Sequence, residues 1–218
     1  MHGGGWIYGT IELDDLCLRV ICAEFQIVFV NVDYRLAPEH PFPKPLSFIV
    51  CGTSAGATMA AVLAHRVRDD PYFEGRRLTG QLLQIPMTVH SNAYPENYKN
   101  ELQSYTRLGD PRILDQHGMN GYYAKYGLPP FDPECSLLLY PSHHGLAPAY
   151  IQVCSADALR DEALLFEKVL REEGVKTKLD VYPGVGHAFW VHIPKSNMGL
   201  KLFQDFKDGL SWLMTGRA

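Results

Sequence analysis

Apolar and polar positions along the 218 residues alternate between two periods. Leu13, Leu16, Val20 and Ala23 recur at steps of three and four, which predicts a helix with one buried stripe. Gln26-Ile27-Val28-Phe29-Val30-Asn31-Val32 follows as a nearly continuous β-branched run, the pattern of a strand buried on both faces. Four more short apolar runs predict strands at 47–51, 81–85, 150–154 and 178–182, the second of them stopped by Pro86. Helical patterns fall at 55–68, 160–173 and 201–213. This βαβα order predicts a mostly parallel sheet flanked by helices.

Two stretches depart from it. Residues 88–132 hold Tyr94, Tyr98, Tyr105, Tyr122, Tyr123 and Tyr126 and no strand pattern. An excursion of that length is expected to form a lid or pocket wall, with surface helices packed on the sheet edge as the alternative. The second lies at 35–46, where Pro38, Pro41, Pro43 and Pro45 forbid the helix that usually links parallel neighbours. With no repeats, low-complexity tracts or linkers, residues 1–218 are expected to form one domain.

Composition narrows the classes. At 46% hydrophobic and 20% charged residues the chain is suited to burying a core, and the net charge of −4 argues against a basic nucleic-acid-binding face. No run reaches the ~18 apolar residues of a membrane span, and the start lacks the features of a secretory signal. Cys17, Cys22, Cys51, Cys135 and Cys154 are odd in number and lack metal-site spacing. A cytoplasmic protein with reduced thiols is expected, and a homodimer stays open.

Gly52-Thr53-Ser54-Ala55-Gly56 has the form G-x-S-x-G between a predicted strand and a predicted helix, the setting of a nucleophile elbow. His2-Gly3-Gly4-Gly5-Trp6 could supply backbone N–H groups to a developing oxyanion, alongside the N–H of Ala55. A serine nucleophile needs a base, and that base needs an orienting acid. His187 lies in a glycine-punctuated loop beyond the last strand. Asp157 follows the strand at 150–154, where parallel sheets place catalytic groups. Asp161 competes, but is expected to cap the helix it sits in. The adjacent His143 and His144 lack a third ligand, so no metal is expected.

These motifs, with Asp33-Tyr34-Arg35-Leu36-Ala37-Pro38-Glu39-His40-Pro41-Phe42-Pro43, resemble the hormone-sensitive-lipase-like carboxylesterases of the α/β-hydrolase fold. The resemblance implies a serine hydrolase that cleaves esters of small organic molecules through an acyl-enzyme. In that reading Ser54 is the nucleophile, His187 the general base and then acid, and Asp157 the orienting carboxylate. Gly4, Gly5 and Ala55 would form the oxyanion hole, with no cofactor. Trp6 and Phe189 are candidate substrate-binding residues, with core packing as the alternative for each. Thr53 and Ala57 stand where the family often has Asp and Gly, and Ala158 replaces the proline of D-P-L-x-D. Family members begin before the glycine motif and carry a helix between the PFP motif and the elbow strand. The expectation is therefore a member shortened at the N-terminus and internally. Its alternatives are a non-catalytic shortened member or a small-molecule receptor on the same fold.

Overall fold

A computed structural model describes residues 48–74 and 77–215, with the isolated positions Thr10, Glu12, Arg19, Ala23 and Pro38. The chain divides into two compact units, Met1–Ser47 and Phe48–Ala218. The helix expected across 13–23 falls outside the described residues except at two isolated positions, and the strand at 26–32 falls wholly outside them. The proline-rich connection at 35–46 falls outside them except for Pro38.

The second unit is built on four parallel strands in chain order: β1 (Ile49–Thr53), β2 (Gly80–Gln84), β3 (Ala149–Cys154) and β4 (Thr177–Tyr182). Each starts or ends within two residues of where the apolar runs put it. β2 and β3 are buried along their whole length, as their continuous apolar patterns require.

Helices cover both faces. α1 (Ala55–Asp69) and α4 (Arg160–Glu172) share one core with the sheet: Ala57, Ala60, Ala61 and Ala64 of α1 meet Leu83, Ile151 and Val153, and Ala163, Phe166 and Leu170 come from α4. The alanines recur at helical spacing, and their small side chains let α1 lie close to the strands. On the other face α6 (Asn197–Met214) buries Leu213 against Leu82 and Tyr150. It approaches so closely that a Cβ on Gly209 would sit 1.9 Å from the Tyr150 ring. This helix begins four residues before the predicted start because the Ser196 hydroxyl caps it, accepting from the Gly199 N–H at 3.1 Å.

Between β2 and β3 the chain forms no strand of the sheet. It holds α2 (Ser104–Arg107), α3 (Gln116–Tyr126) and several single 3-10 turns. Met87, Tyr105, Leu114, Met119 and Tyr123 cluster there around Leu159, at the entrance to α4. The short α5 (Phe189–His192) follows β4. Among the described residues no helix is long and apolar enough to cross a membrane.

Candidate active site

Ser54 occupies the one-residue joint between β1 and α1, with φ 55° and ψ −122°. Positive φ is costly for a residue with a Cβ and persists only where the surroundings enforce it. They do so here from both sides. The Ser54 N–H donates to the Gln84 carbonyl at the end of β2 (2.8 Å), and the Ser54 carbonyl accepts from the N–H groups of Ala57 (2.9 Å) and Thr58 (3.1 Å). The turn is so tight that a Cβ on Gly52 would lie 2.1 Å from the Gly56 carbonyl oxygen. Gly56 itself faces nothing within 4 Å among the described residues. Of the two motif glycines, crowding thus explains the first.

His187 projects from the loop between β4 and α5. Three hydrogen bonds tie that loop to the segment after β3: Ser155 N–H to the Tyr182 carbonyl (2.9 Å), Ala156 N–H to the Val185 carbonyl (3.0 Å), and Gly184 N–H to the Ser155 hydroxyl (2.8 Å). The two loops are therefore held side by side at the carboxyl end of the sheet. His187 Nδ1 lies 2.8 Å from Asp157 Oδ2, and His187 Nε2 lies 3.0 Å from Ser54 Oγ. Asp157 is 1% exposed, and its second oxygen accepts from the Leu159 N–H at 3.0 Å. A carboxylate can only accept, so Nδ1 carries the proton and Nε2 is left to accept from the serine hydroxyl. This row can withdraw a proton from Ser54 Oγ while Asp157 stabilises the resulting imidazolium. Ala55 opens α1, and its N–H falls among those without an intrahelical partner.

Gly4, Gly5 and Trp6 lie outside the described residues. Phe189 is 4% exposed and packs among Ile85, Cys154, Tyr182 and Leu202, which accounts for its burial without a ligand. Asp161 departs from expectation. Its Oδ2 accepts from the backbone N–H groups of Gln103 (2.8 Å) and Ser104 (2.6 Å), so it caps α2 and not the helix it belongs to. α4 has Leu159 at its N-cap position, which supplies no side-chain cap. His143 Nδ1 pairs with His65 Nε2 at 2.9 Å, and no metal-binding group of side chains occurs among the described residues. Burial, with the Asp157 charge adding to it, pushes the Cys154 thiol up and leaves it unreactive.

Two polar residues that motif reading passed over join the elbow to the sheet interior, Gln84 and Gln152. Their signal in the sequence is glutamine within two strands of largely apolar pattern, twice in Gly80-Gln81-Leu82-Leu83-Gln84 and once in Ala149-Tyr150-Ile151-Gln152-Val153-Cys154.

Comparison with known proteins matches the chain to a family described as alpha/beta hydrolase fold, over residues 1–47 and 44–191. A versiconal hemiacetal acetate esterase of Dothistroma septosporum is 33% identical over 242 residues, spanning 98% of this chain and 72% of that protein. A carboxylic ester hydrolase of Mycobacterium tuberculosis is 31% identical, over 86% of this chain and 55% of its own length. Among solved structures, vibralactone cyclase superposes with a TM-score of 0.74 at 36% identity, covering 98% of this chain and 69% of that one. An esterase of Pyrobaculum calidifontis superposes with a TM-score of 0.62 at 26% identity, over 98% and 74%. With the elbow, the parallel sheet and these relatives in agreement, the chain belongs to the α/β-hydrolase family, in its hormone-sensitive-lipase-like branch of carboxylesterase-type hydrolases.

Proposed function

We propose that the protein is a serine carboxylesterase that works through an acyl-enzyme on short acyl esters of small organic alcohols. The observation that carries this reading is the continuous row Ser54 Oγ, His187 Nε2, His187 Nδ1, Asp157 Oδ2, with gaps of 3.0 and 2.8 Å. Ser54 Oγ attacks the ester carbonyl as its proton passes to His187. The tetrahedral oxyanion is met by the Ala55 N–H, with the amides of Gly4 and Gly5 assigned to the same role by the sequence motif. Collapse releases the alcohol, which takes the proton from His187, and leaves the acyl group on Ser54. Water then enters, gives its proton to His187 and attacks the acyl carbon. Ser54 leaves with that proton, and the carboxylic acid departs.

Short acyl groups are favoured because the Dothistroma relative is named for an acetate ester. Residues 88–132 are the proposed wall of the substrate pocket, supported by their position after β2 and their packing on Leu159, two residues from Asp157.

The test uses a fluorophosphonate probe and a series of p-nitrophenyl esters from acetate to octanoate. The expected result is a single label on Ser54, faster turnover of acetate than octanoate, and no turnover by Ser54→Ala. In Asp157→Asn the amide can present N–H to Nδ1 and favour the wrong tautomer, lowering kcat by about 10⁴-fold. An unlabelled protein, or a Ser54→Ala variant as fast as the wild type, overturns the reading.

A further inference from the structure

A row of polar side chains crosses the sheet at the level of the elbow. Thr53, Gln84, Gln152 and Asp180 are direct cross-strand partners on β1, β2, β3 and β4. Gln84 and Gln152 are buried in the sheet, where an unpaired amide would be costly. Their side chains are linked in series. Thr53 Oγ1 is 2.8 Å from Gln84 Oε1, and Gln84 Nε2 is 2.7 Å from Gln152 Oε1. Gln152 Nε2 reaches the hydroxyls of Tyr182 (2.6 Å) and Tyr150 (3.0 Å) and the Leu202 carbonyl (3.2 Å). Those hydroxyls end on carboxylates, Tyr150 on Asp180 (2.7 Å) and Tyr182 on Asp205 (2.9 Å).

The direction of every bond is fixed from the carboxylate end. Asp180 and Asp205 accept, so both tyrosines donate to them and their oxygens are left to accept. Gln152 must then turn its NH2 toward the tyrosines and its oxygen toward Gln84. Gln84 must turn its own NH2 toward Gln152 and its oxygen toward Thr53, whose hydroxyl donates. The chain is polarised along its whole length, from the residue before the nucleophile to two carboxylates on β4 and α6. Bonds aligned in this way strengthen one another.

We propose that Gln84 and Gln152 are positioning residues for Ser54. Gln84 grips the elbow twice: its side chain holds Thr53, and its carbonyl accepts from the Ser54 N–H at 2.8 Å. Gln152 touches neither residue. It fixes the Gln84 amide in the one orientation that can accept from Thr53. Without it the Gln84 NH2 loses its partner and turns to seek another, Thr53 is released, and the strained Ser54 backbone loses one of its restraints. The inference rests on Ser54 being the nucleophile.

The test measures the rate of fluorophosphonate labelling at Ser54, with kcat and KM for p-nitrophenyl acetate, in Gln152→Met, Thr53→Val, Thr53→Ser and the Gln152→Met/Thr53→Val double variant. Each single break is expected to slow labelling and kcat about fivefold with KM unchanged, the worth of one hydrogen bond. Thr53→Ser, which keeps the hydroxyl, restores the rate. The double variant is no slower than Thr53→Val, because both changes cut one chain. A Gln152→Met protein that folds and labels at the wild-type rate, or whose defect multiplies with that of Thr53→Val, overturns the proposal. If Gln152→Met does not fold, Gln84→Met, which removes the acceptor of the Thr53 hydroxyl, is held to the same comparison. A wild-type protein that takes no label at Ser54 refutes the nucleophile assignment itself, a different result from any of these.

Discussion

Asp161 on α4 accepts two backbone hydrogen bonds from the start of α2, 2.6 Å from Ser104 N and 2.8 Å from Gln103 N. The Ser104 hydroxyl answers by donating to the Ala158 carbonyl (2.8 Å) and accepting from the Asp161 N–H (3.0 Å). The turn that begins at Asp157 is thereby joined to the segment proposed as the pocket wall. Bonds to a carboxylate are worth about 1.5–3 kcal/mol each, so Asp161→Ala, which removes both, is expected to lose roughly 3–6 kcal/mol, and Asp161→Asn, whose amide oxygen can take the place of Oδ2 but carries no charge, roughly half as much. Urea unfolding gives the stabilities, and hydrogen exchange at residues 103–107 shows whether the loss is local.

Gly52→Ala places a carbon where the Gly56 carbonyl already stands. The elbow must open to admit it, which displaces Ser54 Oγ from His187. The expected result is a folded protein destabilised by about 1–3 kcal/mol with activity reduced at least about 100-fold. Circular dichroism and labelling at Ser54 separate the two effects.

His65 is buried on α1, stacked on Tyr140 at 3.8 Å, and its ring is held between the Ala61 carbonyl and His143. Burial pulls it down to about 4 from the usual 6.5, and burial lowers His143 as well. The unfolded chain therefore binds these protons at a higher pH than the fold does. Stability is complete above pH 6.5 and falls as the pH drops toward 4, by up to about 3 kcal/mol from His65. Urea unfolding at stepped pH values should show that slope, and His65→Gln should reduce it.

Glu162 slopes the other way. Its carboxyl is fully enclosed and accepts only from the Thr88 N–H (3.2 Å) among the described residues, so burial, reinforced by Asp157 and Asp161, raises it well above 4.5. The fold favours the neutral acid, and its stabilising contribution is present below 4.5 and lost as the pH rises. Glu162→Gln keeps the acceptor for Thr88 and removes the ionisation. It is expected to be as stable as the wild type near pH 4 and more stable at pH 8, measured by thermal unfolding at both.

The strands from β1 to β4 and the long helices were legible in the sequence because a buried strand and an amphipathic helix each follow from local periodicity. The serine was legible because a strained turn between strand and helix demands glycine close to it in the chain. Asp157 and His187 were legible because each ends or follows a recognisable strand. Asp161 was misassigned for the same reason: its own helix is visible in the sequence, whereas α2 is a four-residue helix with no periodic signature.

Local order along the chain sets which chemical groups are available, their succession, and the strands whose ends carry them. Tertiary structure alone decided that Ser54 and His187, 133 residues apart, meet at 3.0 Å, that Phe189 is consumed by the core, and that Gln84 and Gln152 form a chain behind the nucleophile. The physical reason lies in strand register. Periodicity says which way a side chain points from its own strand, but only pairing with a distant strand says which side chain stands beside it.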